Sequence, residues 1–353
     1  MRVETLLPIG KVDPGLRDVS MRLDLPKVPD MAREVEALGY DGLVSGETKN
    51  DPYVPLVLGA ASTERIRLTT AVVIAFPRSP MVTALTAWDI QSLSKGRFVL
   101  GLGPQVKGHI ERRFGMAWAP PLPRMREYIL AVRAVWKCWQ NRVPLDFQGE
   151  HYKLSLMVPL FDPGPIDYPD IPIQLAAVNT GMCRLAGELC QGFRPHPICT
   201  PKYIAEVMVP SAQAGANKAG RDLEGFDLIP SPLIATAATP ALLAERIRDV
   251  RSRISFYAST RTYRAVFEHH GWGALVDELH EYSVKKRWEE LPTRITDEVL
   301  DTIAVIGTYD ELAAKLRTRY GSVATGIEFG LPLRTPADRE ALQHIIRELQ
   351  RAE

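Results

Sequence analysis

The chain has 353 residues, 46% of them hydrophobic and 24% charged, with a formal net charge of +1 at pH 7. That balance belongs to a soluble globular protein with a full core and excludes disorder, collagen and small disulfide scaffolds. With 43 Lys and Arg against 42 Asp and Glu there is no global positive field, so nucleic acid is not expected as a partner. The opening MRVETLLPIG lacks the long apolar segment of a signal peptide. The most apolar run, from Ala71 to Phe76, has strand length, so no membrane span is expected. Cys138, Cys183, Cys190 and Cys199 include no Cys-x-x-Cys pair and are expected in core packing, with the cytoplasm as the compartment.

In chain order, short β-type runs alternate with amphipathic helical runs. A strand is predicted over 3–8. Val28, Met31, Val35 and Leu38 then recur at helical spacing and stop at Gly39. A short strand over 41–45 and a helix over 52–61 follow. The run 67–74 is almost continuously apolar or β-branched, the pattern of a parallel strand buried on both faces. A helix over 80–93, a strand over 98–102 and a helix over 124–140 come next. The Pro- and aromatic-rich stretch 148–170 reads as an excursion. Strand 173–177 precedes a helix carrying Met182, Leu185, Ala186, Leu189 and Cys190. A sixth strand is predicted over 191–193, with a helix after Pro201. A seventh covers 228–236, weakened by Pro230 and Pro232. Leu243, Ile247, Val250 and Ile254 mark the next helix. A helix-rich block fills 260–300, and a helix over 309–320, a strand over 326–331 and a helix over 337–351 close the chain.

Strand-helix alternation of this kind predicts an α/β protein with a parallel sheet. Eight units predict a closed (β/α)8 TIM barrel. The expectation is one domain over 1–353, with insertions near 148–170 and 256–300. Barrel chemistry sits at the C-terminal ends of the strands. The loop after strand two is Gly46-Glu47-Thr48-Lys49-Asn50-Asp51, and the loop after strand four runs from Gly103 through Gln105 and Lys107 to His109. Val178-Asn179-Thr180-Gly181 stands directly before a helix, where backbone N–H groups suit an anion. Gly101-Leu102-Gly103 is a poor dinucleotide fingerprint, because Val106 occupies the third glycine position. The alternative for these glycines is close approach of a ligand or a neighbouring backbone. There is no Gly-x-Ser-x-Gly elbow and no His-Glu-x-x-His, and no metal is expected at His269, His270 or His280.

Five segments resemble the bacterial luciferase-like (β/α)8 oxidoreductases. They are Gly39-Tyr40-Asp41-Gly42-Leu43-Val44-Ser45-Gly46-Glu47, Arg65 to Val72, Leu93-Ser94-Lys95-Gly96-Arg97-Phe98-Val99-Leu100-Gly101-Leu102-Gly103, Pro172 to Ala177, and Ile306-Gly307-Thr308-Tyr309-Asp310-Glu311-Leu312. They occur in the family's order along nearly the whole chain. The resemblance implies a flavin or deazaflavin at the barrel mouth. The Arg78-Ser79-Pro80 turn and the Gln105, His109, Arg112, Arg113 pattern look like a subgroup using coenzyme F-420, a deazaflavin that carries hydride.

Residue by residue, the resemblance implies Glu47 beside the ring system as acceptor or acid. Thr48, counted with Glu47 and His109 as catalytic, stands where relatives carry a His near the hydride centre, a departure that argues against a His-based proton relay there. A non-proline cis peptide is implied at Ala71–Val72, with Ile74 at the ring edge. Gly103, Pro104, Gln105 and Val106 would cover one side of the cofactor. Ala176, Ala177, Val178, Asn179, Thr180 and Gly181 would hold its phosphate-bearing tail. His109, Glu47 and His196 are the candidates for proton transfer to a small organic substrate. Lys107, Arg112 and Arg113 would make a basic mouth for an anionic cofactor. The alternatives are an FMN-dependent, oxygen-using monooxygenase and a flavin-binding barrel without catalysis. A homodimer or higher homo-oligomer is expected, and the 256–300 insert, with Tyr257 and Tyr263, would form a lid or a subunit interface.

Overall fold

The structure is a computed structural model that describes residues 1–10 and 22–351. Its strands are β1 (Arg2–Leu6), β2 (Gly42–Ser45), β3 (Arg67–Thr70), β4 (Val73–Ile74), β5 (Phe98–Gly103), β6 (Phe147–Gln148), β7 (Lys153–Leu154), β8 (Ile173–Ala177), β9 (Gly192–Pro195), β10 (Asp227–Leu228), β11 (Ile234–Ala237), β12 (Val305–Thr308) and β13 (Gly326–Glu328). Eight of these run parallel in the order β10, β9, β8, β5, β3, β2, β1, β13. The two ends meet through Thr325 N–H to the Leu228 carbonyl (2.9 Å) and Glu328 N–H to the Pro230 carbonyl (2.9 Å). The result is the expected luciferase-like TIM barrel, with helices on the outside. β2 and β5 are buried at every position, which explains their mostly apolar character.

Two strand predictions need correction. The run 228–236 is not one strand. Pro230 and Pro232 have no N–H to give a ladder, so only β10 joins the barrel, and β11 leaves it to pair with β12. The sequence reading assigned no strand to β12, a four-residue run that passes straight into the Tyr309–Tyr320 helix. The run 67–74 also divides. β3 pairs with β2 and β5, whereas β4 pairs with β5 alone, and the interruption is the cis peptide at Ala71–Val72. The excursion 148–170 shares a two-stranded hairpin, β6 with β7.

Glycine explains the tight spot between β3 and β5. A Cβ on Gly101 would lie 1.8 Å from the Thr70 carbonyl oxygen. Close backbone approach therefore accounts for this residue. All four cysteines are free and buried, and burial pushes the Cys183 and Cys190 thiols up to about 12. No helix among the described residues is long and apolar enough to cross a membrane.

Candidate active site

The strand ends surround a cavity of about 900 Å³, the size of a cofactor or drug-sized ligand site. Its floor is a charged layer inside the barrel. Arg194, at the end of β9, donates to Gln174 Oε1 (2.9 Å), to Glu328 Oε2 (2.9 Å) and to Glu4. Burial disfavours its cation, yet Glu4 and Glu328 outweigh that and hold its pKa above the ordinary value. Asp227 extends the layer, accepting from Gln174 Nε2 (2.9 Å) and Arg67 (3.0 Å). Arg194 and Glu328 both reach the cavity surface.

One arc of the wall comes from β4, β5 and β8. Ala71, Val72 and Ile74 line it, with Gly103, Pro104, Gln105, Val106, Ala176, Ala177, Val178 and Asn179. The cis peptide at Ala71–Val72 stands in this wall. Gly103 keeps it flush, because a Cβ there would lie 2.6 Å from Val72 Cγ2. Gln105 holds a left-handed φ of 59°, and its side chain accepts from the Val106 N–H (2.9 Å). Thr180 and Gly181 begin the Thr180–Leu189 helix behind this arc and do not line the cavity. The residues present on this arc are mostly apolar, which fits the wall that a flavin-type ring needs behind it.

Of the residues named for catalysis, Glu47, Thr48 and His109 are not among those that line the cavity. Glu47 stands behind the wall. Its Oε2 accepts from the Ile74 N–H (2.8 Å) and from Arg78 (2.7 Å). Thr48 is exposed, and its carbonyl accepts from Arg113 (3.4 Å). His109 is exposed on the Lys107–Arg112 helix, of which only Lys107 and Gly108 line the cavity. Arg112 and Arg113 also stay outside the lining, with Arg113 over the Phe114 ring at 4.7 Å.

His196, at the end of β9, does line the cavity. Its Nδ1 accepts from the Ile198 N–H (3.3 Å), so the neutral ring carries its proton on Nε2. The ring stacks on Tyr263 at 4.3 Å and meets Tyr257 edge-on at 4.6 Å. Thr262 and Tyr263 place the 256–300 insert in the cavity wall, and Asn179 Nδ2 donates to the Thr262 carbonyl (3.4 Å). Arg246, Arg253, Ser231 and Thr236 complete the lining on this side, and sequence reasoning missed them. The available signal was spacing: Arg246, Val250, Arg253 and Tyr257 repeat at helical intervals beside the apolar stripe.

Among the described residues, metal-ligand geometry occurs at Glu127, Glu150 and His151. The Glu127 carboxylate is already occupied. It accepts the N–H groups of Glu150 (3.0 Å), His151 (2.7 Å) and Tyr152 (3.3 Å). Burial raises its pKa, but these three donors outweigh that and lower it.

A parallel eight-stranded barrel whose strand ends line a cavity has its chemistry at that mouth, and the family matched here makes the protein an oxidoreductase of the luciferase-like class. The chain belongs to the luciferase-like monooxygenase family, whose model matches residues 1–326. It is 40% identical over 334 residues to an uncharacterized protein of Mycobacterium tuberculosis, covering 95% of this chain and 97% of that one. It is 27% identical over 349 residues to the 5,10-methylenetetrahydromethanopterin reductase of Archaeoglobus fulgidus, covering 93% and 98%. The fold is similar to that of the coenzyme F-420-dependent tetrahydromethanopterin reductase from Methanopyrus kandleri, with a TM-score of 0.74 at 20% identity, covering 98% and 97%.

Proposed function

We propose that this protein is a coenzyme F-420-dependent oxidoreductase that moves a hydride between the deazaflavin and a small organic substrate. The observation that carries the reading is the apolar wall that Val72, Ile74, Gly103 and Ala176 give the cavity, in a chain whose sequence relatives include a methylenetetrahydromethanopterin reductase. When bound, the deazaflavin would accept the hydride in its oxidised form or donate it in its reduced form. Ala71, Val72 and Ile74 would back its ring, and Ala176 to Asn179 would take the tail. The apolar side chains exclude water from the transfer face. His196, the proton-transfer candidate that lines the cavity, would exchange a proton with the substrate.

Fluorescence and absorbance titration with F-420 and with FMN tests this. F-420 is expected to bind at micromolar concentration or tighter. Micromolar FMN binding without F-420 binding would overturn the reading in favour of an oxygen-using monooxygenase. Binding of F-420 with no hydride exchange toward any acceptor would favour a non-catalytic barrel. His196→Gln is expected to lower kcat by about 100-fold or more and leave the F-420 Kd unchanged.

We also propose a homodimer. Leu156, Leu160 and Phe161 on the excursion are 76%, 84% and 70% exposed, apolar surface that a second copy would cover. Four free, buried thiols support the cytoplasm as the compartment.

A further inference from the structure

Among the described residues, His196 is the one histidine that lines the cavity, and its backbone is fastened. Its N–H donates to the Ala177 carbonyl (3.3 Å), and its carbonyl accepts from the Cys199 N–H (2.8 Å). The ring keeps two torsions of its own. The outer torsion of a histidine is broad and close to two-fold, so neighbours must choose the orientation. The Ile198 N–H meets Nδ1 at 3.3 Å and selects the ring edge. Tyr263 lies against the ring face, with centroids 4.3 Å apart and planes 28° apart, and selects the plane. Tyr257 closes the arrangement, edge-on to His196 at 4.6 Å and to Tyr263 at 5.6 Å.

Tyr263 comes from the 256–300 insert, at the end of the Arg261–Tyr263 turn, and it lines the cavity itself. The insert is tied down on both sides of it. Before Tyr263, the Thr262 carbonyl takes Asn179 Nδ2 (3.4 Å). After it, His269 Nε2 lies 2.8 Å from Glu206 Oε2, and His270 Nε2 lies 2.8 Å from Thr200 Oγ1. Thr200 and Glu206 stand in the segment that follows His196, so Tyr263 and His196 are held together through their neighbours as well as directly. Burial pushes the Tyr263 phenol up to about 12, so it stays neutral near pH 7 and offers no base of its own. Its contribution is the face of its ring.

We propose that Tyr263 is a positioning residue that holds the His196 ring in one plane and one tautomer for proton exchange with the substrate. The proton exchange rests on the proposed function; the fixed ring does not. Aromatic faces packed this way attract beyond the area they bury. A displacement of about 1 Å at a reacting group is costly to the reaction. Without the Tyr263 face, the His196 ring can turn away from the Ile198 N–H, and the tautomer that this N–H selects is no longer enforced.

The test is long-range proton–nitrogen NMR of the histidine rings at pH 8.5, above the ordinary imidazole pKa of about 6.5. The protein has 7 histidines, so His196→Gln identifies the signal. Wild type, Tyr263→Phe, Tyr263→Leu and Tyr263→Gln are compared without cofactor, and thermal melts check folding. The expected result is a single His196 tautomer, with Nδ1 unprotonated, in wild type and in Tyr263→Phe, which keeps the ring. Tyr263→Leu and Tyr263→Gln are expected to move the Nδ1 signal toward the protonated position. Titration with F-420 is expected to give a Kd within about 2-fold of wild type in every Tyr263 variant. Mixed tautomers in wild type would overturn the inference, and that result needs no variant. A single tautomer retained in folded Tyr263→Leu, or the same change in Tyr263→Phe as in Tyr263→Leu, would also overturn it. A loss of F-420 affinity of about 10-fold or more in Tyr263→Leu, with the His196 signal unchanged, would give this ring to the cofactor instead. The expected His196 signals in a protein that does not bind F-420 would sustain the fixed ring and sink the proposed function.

Discussion

The Glu47 carboxylate accepts the backbone N–H of Ile74 at 2.8 Å, so the acid of the strand-two loop holds the strand-three wall of the cavity in place. The same Oε2 takes Arg78 Nη1 at 2.7 Å, and Arg78 reaches Asp51 at 2.9 Å. Burial lowers the Arg78 pKa, but Glu47 and Asp51 more than offset this and raise it. Glu47 therefore acts as a positioning residue. Glu47→Ala strands a buried amide and half-buried Arg78, and is expected to cost about 2–3 kcal/mol. Glu47→Gln keeps an acceptor for Ile74 and is expected to cost about 1 kcal/mol. Urea unfolding measures both. Equal losses in the two variants would refute the positioning role.

His270 predicts a stability change in mild acid. Its Nε2 is 2.8 Å from Thr200 Oγ1, and its ring stacks on Trp272 at 4.8 Å. Burial first, then the charges of His269 and Lys202, lower its pKa below 6.5, with Glu206 opposing. The unfolded chain binds the proton first, near pH 6.5, while the folded chain resists. Stability is therefore complete above pH 6.5 and falls as pH drops through the lowered folded value. Unfolding free energies measured between pH 7.5 and 5 are expected to decline, with a shallower slope in His270→Gln. An unchanged slope would remove this residue from the account.

The barrel was legible because burial on both faces leaves an unmistakable mark in runs such as 98–103. The apolar arc was legible for a related reason: Ala71 to Ile74, Gly103 to Val106 and Ala176 to Asn179 are strand ends, and a barrel sends strand ends to its mouth. Glu47 was found, but its orientation was not, since one loop position says nothing about which backbone N–H a carboxylate will meet. Arg246 and Arg253 were missed because their helix follows β11, a strand that leaves the barrel after Pro230 and Pro232. A correct count of barrel strands hid the departure, and with it the return of a helix over the mouth.

The excursion tip tests the dimer. Leu160 and Phe161 occupy the Pro159–Phe161 turn and are far more exposed than a solitary surface residue needs to be. Leu160→Glu with Phe161→Glu is expected to shift the protein from dimer to monomer in sedimentation equilibrium, with the thermal midpoint of the fold little changed at low concentration. A dimer that survives both substitutions would place the interface elsewhere.

Gly187 and Gly215 form a reciprocal contact between the Thr180–Leu189 and Val209–Lys218 helices. A Cβ on Gly187 would fall 1.8 Å from the Ala212 carbonyl oxygen, and one on Gly215 would fall 1.9 Å from that of Arg184. Both obstacles are backbone, so neither can swing aside. Alanine would gain about 1 kcal/mol of helix propensity at each site, but overpacking costs about 1–3 kcal/mol and more where backbone must move. Each Gly→Ala variant is therefore expected to lose at least about 2 kcal/mol net, read as a lower urea midpoint. The consequence reaches the cavity, because the first of these helices begins directly after Asn179 in its wall. Pushing that helix outward should weaken F-420 binding several-fold as well. Gly273→Ala is the control, since its Cβ would meet flexible side-chain atoms of Glu268 and Arg264, the nearest being Glu268 Cγ at 3.3 Å. If the control costs as much as Gly187→Ala and Gly215→Ala, close helix contact is not what these glycines provide.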